Sequence, residues 1–105
     1  GGAVSRAVRV HLPGHLRELA RTGTAEVEIR VEEPATVARL LDAVESRWPV
    51  LKGTIRDPFT GERRAYIRYF ACGEDLSHEN PDDALPEEVV EGREPLRVVG
   101  AISGG

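Results

Sequence analysis

Hydrophobic and charged residues alternate in two runs near the start of the chain. Val8, Val10 and Leu12 interleave with Arg9 and His11, and Val27, Ile29 and Val31 interleave with Glu26, Glu28, Arg30 and Glu32. A period of two puts one set on a buried face and the other in water, so each run predicts a half-buried strand, the first over Ala7 to Leu12. Pro13-Gly14 breaks the first run, Leu16 to Ala20 offers a short helical turn, and Thr22-Gly23-Thr24 leads into the second. Two alternating runs joined by so short a loop suggest an antiparallel pair.

Beyond Glu33-Pro34-Ala35 the period changes. Val37, Leu40, Leu41 and Val44 fall at i, i+3, i+4 and i+7, an apolar stripe along one face of a helix whose other face carries Arg39, Asp42 and Glu45. Thr36 is placed to cap this helix and Pro49 to end it, and Trp48 reads as a plug in the core. The polar stretch Arg56 to Arg64 contains Asp57-Pro58-Phe59-Thr60-Gly61, a turn. A third strand is expected over Tyr66 to Ala71, with Ile67, Tyr69 and Ala71 on one side and Tyr66, Arg68 and Phe70 on the other. Cys72-Gly73-Glu74-Asp75 then turns the chain. Ser77 to Pro95 predicts little regular structure beyond a turn at Leu85 to Val90, and Leu96 to Ala101 is a last strand. Strand, strand, helix, strand, strand describes an α+β architecture, a small sheet with one main helix packed across it. The long excursion before the last strand leaves its place in the sheet open.

The chain has 105 residues, the size of one domain over 1–105. Residues 1–6 read as a cloning remnant or a disordered start, since Gly1-Gly2 stand where methionine is usual, and 102–105 read as a flexible tail. Apolar residues make up 40% and charged residues 30%, the balance of a folded protein. No stretch has the roughly 20 apolar residues of a membrane-spanning helix, and no signal peptide is evident, so a cytoplasmic protein is expected, away from membranes. Cys72 is the single cysteine, which excludes an internal disulfide and a cysteine-rich zinc site.

The net charge of −4 hides a segregation. From Glu74 to Glu94 nine acids face Arg93 alone, a net of −8, whereas everything up to Gly73 sums to +3. Such a block reads as a solvated face, and it repels phosphates, so no nucleic-acid partner is expected. Enzyme chemistry finds little support. Cys72 and His78 are six residues apart around a turn, but no third group orients them as a nucleophile and base require. His11, His15 and His78 lack metal-ligand spacing, and there is neither a phosphate-binding glycine loop nor a calcium loop. The chain is not expected to be an enzyme or to bind a metal or cofactor itself.

The sequence stops at Gly104-Gly105. Two residues without Cβ form a stalk thin enough for a narrow channel, with the α-carboxylate at its tip. An enzyme that uses ATP can convert a carboxylate to an acyl-adenylate, open to sulfur or amine nucleophiles. Glycines are also ordinary at frayed ends, and the tail by itself does not separate the two readings.

Further pieces add to it. Leu16-Arg17-Glu18-Leu19-Ala20 follows the first strand, Ala35-Thr36-Val37-Ala38-Arg39-Leu40-Leu41 opens the helix and Trp48-Pro49 closes it. Tyr69-Phe70-Ala71-Cys72-Gly73-Glu74-Asp75 forms the turn, and Val98-Val99-Gly100-Ala101-Ile102-Ser103-Gly104-Gly105 ends the chain. In this order the pieces resemble the ubiquitin-like sulfur-carrier family, which has the β-grasp fold, a mixed sheet with one main helix. That family includes the small subunit of molybdopterin synthase (MoaD) and the thiazole-pathway carrier (ThiS). The resemblance implies that a partner enzyme adenylates Gly105 with ATP-Mg and that the product becomes a thiocarboxylate. Gly104 would be the stalk, and a sulfur-accepting synthase subunit the second partner, in molybdenum-cofactor or thiamin-like biosynthesis. It also implies a partner-binding surface of Pro13, Leu76, Val99, Ala101 and Ile102. Family members often carry asparagine where Cys72 stands, and the acidic stretch and the Asp57–Gly61 insert make this chain longer than the shortest carriers. Two other classes stay open: a ubiquitin-like modifier joined through Gly105 to target lysines, and a plain protein-binding domain with an inert tail.

Overall fold

In the computed structural model, which describes residues 4–100, the two alternating runs form strands β1 (Ser5–His11) and β2 (Glu26–Glu32). They pair antiparallel with Val8 opposite Ile29 and Val10 opposite Val27. Opposed residues share a face, so Val8, Val10, Ile29 and Val31 are buried together while Arg9, Glu28 and Arg30 lie on the other side. β1 begins inside the stretch expected to be a disordered start, because Ser5 and Arg6 pair with Glu32 and Val31. It ends at His11, although the amide of Leu12 still donates to the carbonyl of Ala25. The helical turn between the strands is α1 (Gly14–Ala20), anchored by the buried Leu16.

Helix α2 (Val37–Arg47) starts where the cap predicts: Thr36 Oγ1 accepts a hydrogen bond from the amide of Arg39 at 3.1 Å. Its stripe Val37, Leu40, Leu41 and Val44 is buried against the sheet. Pro49 opens a tight 3-10 turn, Pro49–Leu51, which buries Leu51. Trp48 is not the core plug that was expected. It caps the C-terminus of α2 half-exposed, with the Arg47 guanidinium 4.6 Å from its ring centre, and the smaller Leu51 and Ile55 fill the interior instead.

Strand β3 (Ile67–Ala71) starts one residue later than expected, and Ile67, Tyr69 and Ala71 are its buried side. It folds back through Cys72-Gly73 onto the short β4 (Glu74–Asp75). Both loop residues have positive φ, 54° and 79°, the geometry of a two-residue type I′ turn. The last strand, β5 (Leu96–Gly100), is inserted between β1 and β3, parallel to the first and antiparallel to the second. The sheet order is β2-β1-β5-β3-β4.

The acidic excursion before β5 is pinned at several points. The amide of Ala38 donates to Pro81, that of Leu85 to Ala35, and Leu85 is buried. A single helical turn, α3 (Glu87–Val90), lies where a turn was expected and buries Val89. Arg9 fastens the end of the excursion by donating to the carbonyls of Gly92 and Arg93 while it pairs with Glu26.

Two stability predictions follow from this packing. Leu40 is fully buried, so Leu40→Ala lowers the unfolding free energy by about 2–5 kcal/mol through lost burial and a residual cavity. Urea denaturation followed by circular dichroism measures it, and a loss near zero would misplace the helix face. Cys72 bears a side chain at a φ that asparagine tolerates better. Cys72→Asn therefore raises stability by about 0.5–1 kcal/mol, read as a higher urea midpoint with an unchanged slope.

Candidate docking face and tail root

Alternation along the central strands builds the outer face of the sheet, away from α2. In β5, Leu96 and Val98 point inward and are buried, so Arg97 and Val99 point outward and are exposed. The register places Arg68 opposite Val99 and Phe70 opposite Arg97, and sets His11 beside Arg97 on the other edge. Val99 is 39% exposed, one of few large apolar side chains left in solvent. Arg68 and Arg97 flank it, and Arg68 donates to Asp75 at 3.1 Å. The centre of this face is a small apolar spot beside Arg97 and the Arg68–Asp75 ion pair.

The same spot borders the point where the chain leaves the sheet. Gly100 closes β5 opposite Ile67, in an ordinary strand backbone rather than the left-handed region. A glycine inside a strand marks a close approach of something else. Here the neighbour is His15: a β-carbon on Gly100 would stand 2.8 Å from its Cε1. Pro13, half-exposed, is the N-cap of α1.

Of the residues expected on a partner surface, Val99 is exposed on this face and Pro13 is half-exposed just beyond the end of β1. Leu76 is not with them. Its amide donates to the carbonyl of Tyr69, which continues the β3–β4 pairing and gives Leu76 the inward face of Tyr69. It packs half-buried against the core. Ala101, Ile102, Gly104 and Gly105 lie outside the described residues. Sequence reasoning overlooked His15 and Phe70 as parts of this region. The signal available for His15 was Gly100, a glycine at the end of a predicted strand with no turn to explain it.

Cys72 is exposed at the tip of the β3–β4 hairpin. Desolvation and the carboxylates of Glu88, Glu94 and Glu74 push its thiol pKa up. That field disfavours the thiolate a nucleophile needs. No described helix is long and apolar enough to cross a membrane.

No protein-family model matches the chain, and neither does any curated protein sequence. Solved structures do. SAMP1, the small archaeal modifier protein 1 of Haloferax volcanii, superposes with a TM-score of 0.71 at 26% identity, over 94% of this chain and 99% of that one. CysO of Amycolatopsis orientalis, solved in a complex with BexX, gives 0.72 at 25% identity, over 94% and 100%. CysO of Mycobacterium tuberculosis gives 0.70 at 18% identity, over 90% and 99%, and speaks for the fold alone. The architecture is therefore the β-grasp fold of ubiquitin-like proteins, and the chain spans its neighbours nearly end to end. The resemblance to the ubiquitin-like sulfur-carrier family drawn from the sequence is borne out.

Proposed function

We propose that this chain is a ubiquitin-like sulfur carrier whose Gly105 carboxylate is activated by a partner enzyme. The observation that supports it most is the setting of β5. The strand runs through the centre of the sheet, ends at Gly100 beside exposed Val99, and is followed by five residues that finish in Gly104-Gly105. Five residues reach at most about 17–18 Å when extended. A partner docked on the outer face around Val99 and Pro13 would then have the carboxylate within reach of an active site in its own body.

In the proposed reaction the Gly105 carboxylate oxygen attacks the α-phosphorus of the partner's ATP-Mg and displaces pyrophosphate. A sulfur nucleophile then attacks the acyl carbon and AMP leaves with the C–O bond electrons. Loss of the sulfur's second substituent to an acceptor leaves a thiocarboxylate. This chain supplies the acyl group, and the catalytic residues belong to the partner. The sulfur would pass to a synthase subunit that builds a small molecule. A second reading has specific support, since SAMP1 is named a modifier: an amine of another protein replaces the sulfur nucleophile and forms an amide to Gly105. Incubation with an adenylating enzyme, ATP and a sulfur source separates the two by intact mass. An oxygen-to-sulfur exchange supports the carrier, and conjugates to other proteins support the modifier. An unchanged mass leaves a plain binding domain.

Four variants test the parts. One residue added after Gly105, deletion of Gly105, or Gly104→Leu each displaces or blocks the carboxylate, and misplacement of about 1 Å is enough to cost about a hundredfold in rate. ATP–pyrophosphate exchange by the partner falls by at least that factor in all three, with the unfolding midpoint unchanged. Full activity of the extended chain, untrimmed, overturns the proposal. Val99→Asp places a carboxylate in the apolar centre of the docking face and weakens partner binding by about tenfold or more. Circular dichroism shows the fold retained, and calorimetric titration with the partner reads the loss.

A further inference from the structure

In β5 the buried side carries Leu96 and Val98, and the alternation puts Gly100 on that side too. A glycine in a strand weakens it, because it packs no side chain and loses the most backbone freedom on folding. The backbone gives no reason for the choice, since Gly100 is not among the glycines with positive φ. What the missing side chain leaves room for is the imidazole of His15. A β-carbon on Gly100 would stand 2.8 Å from its Cε1, 3.6 Å from Nδ1 and 3.8 Å from Nε2. The ring thus approaches edge-on and covers the inner side of Gly100.

The base of the ring is held firmly. His15 lies between Pro13, whose carbonyl accepts from the amides of Leu16 and Arg17 at 3.0 Å, and Leu16, which is anchored in the core. His15 is itself exposed, so burial does not account for where its ring sits. Gly100 is also the last residue before 101–105, and a glycine by itself would leave the direction of the following chain unrestricted. The ring closes one side of it. The other side, that of exposed Val99, stays open.

We infer that His15 is a positioning residue for the Gly105 carboxylate: its imidazole bars the inner side of Gly100 and turns the tail toward the docking face. The inference rests on the activation proposed for Gly105. The ring acts by its bulk at the root of the tail, not by chemistry at the tip. Fewer conformers of the tail then point away from a docked partner, and less conformational entropy is lost when the tail enters an active site.

Three single variants and one double test it. His15→Ala removes the ring. Gly100→Ala displaces it at little cost to folding, because what must move is the end of an exposed side chain. His15→Phe keeps a flat ring in place. In ATP–pyrophosphate exchange by the partner, His15→Ala and Gly100→Ala each lower kcat by about fivefold, the freedom of one backbone residue. KM is unchanged, since Val99 lies on the other side of the strand. The double variant falls no further than His15→Ala, because the added β-carbon has no ring left to displace. His15→Phe retains the kcat, and all four unfold near the original midpoint. Without any partner, the heteronuclear NOE of the Gly100 and Ala101 amides falls in His15→Ala and is kept in His15→Phe. An unchanged NOE or kcat in His15→Ala, an additive loss in the double variant, or a loss in His15→Phe equal to that in His15→Ala overturns the assignment. If the unmodified chain is not adenylated at all, it is the reading of Gly105 that fails, and the NOE still decides on His15.

Discussion

The parallel pairing of β1 with β5 is the constraint on which the rest of the structure depends. Chain ends usually fray, because few contacts oppose their conformational entropy. Here the last described strand is paired on both edges, with Val10 and His11 of β1 on one side and Ile67 to Phe70 of β3 on the other. Leu96 and Val98 fasten it to the core from below. The strand that leads to the tail is therefore among the best held in the fold, and Gly100 is its fixed root. Precise presentation of a reacting group needs such a rigid base. The acidic excursion exists to make the pairing possible, since a strand parallel to β1 has to return from the far edge of the sheet.

Much of this was legible in the residues because burial imposes its own period. Val8, Val10, Val27, Ile29 and Val31 announced two strands, and the Val37–Val44 stripe with its Thr36 cap announced the helix, since each signal is local and each side chain carries it. The place of β5 was not legible. Strand order is decided by which edge has unpaired amides and which faces need cover, and no residue within Leu96–Gly100 reports on that. Trp48 misled for a related reason: its size argues for the core, but its position at the helix end gave it a cation to stack on and left the interior to Leu51 and Ile55. Leu76 resembled a docking residue by its place in the chain. Pairing of the Leu76 amide with Tyr69 turns its side chain inward, a parity that depends on where the hairpin folds. Cys72 gave the hairpin away only weakly, because cysteine is an unusual occupant of a positive-φ turn.

Charge adds a second layer to the same geometry. The acids of the excursion crowd the hairpin tip, where with desolvation they push the Cys72 thiol pKa up. Around Val99 the outer face instead carries Arg97, His11 and the Arg68–Asp75 ion pair. Complementary charge speeds encounter and fixes orientation more than it adds affinity. An apolar centre with a charged rim is suited to a partner that binds transiently.

The two-residue period of a strand finally explains how one small sheet can present two unrelated surfaces. In β3, Arg68 and Phe70 face outward toward the docking face, and Tyr69 between them faces inward into a cleft beside α2. In β5, Val98 and Val99 divide the same way. Successive side chains are separated by the thickness of the sheet, so whatever contacts Tyr69 does not contact Val99. Any influence of one on the other has to pass through the backbone of β3 and β5, whose ladder is held from both sides.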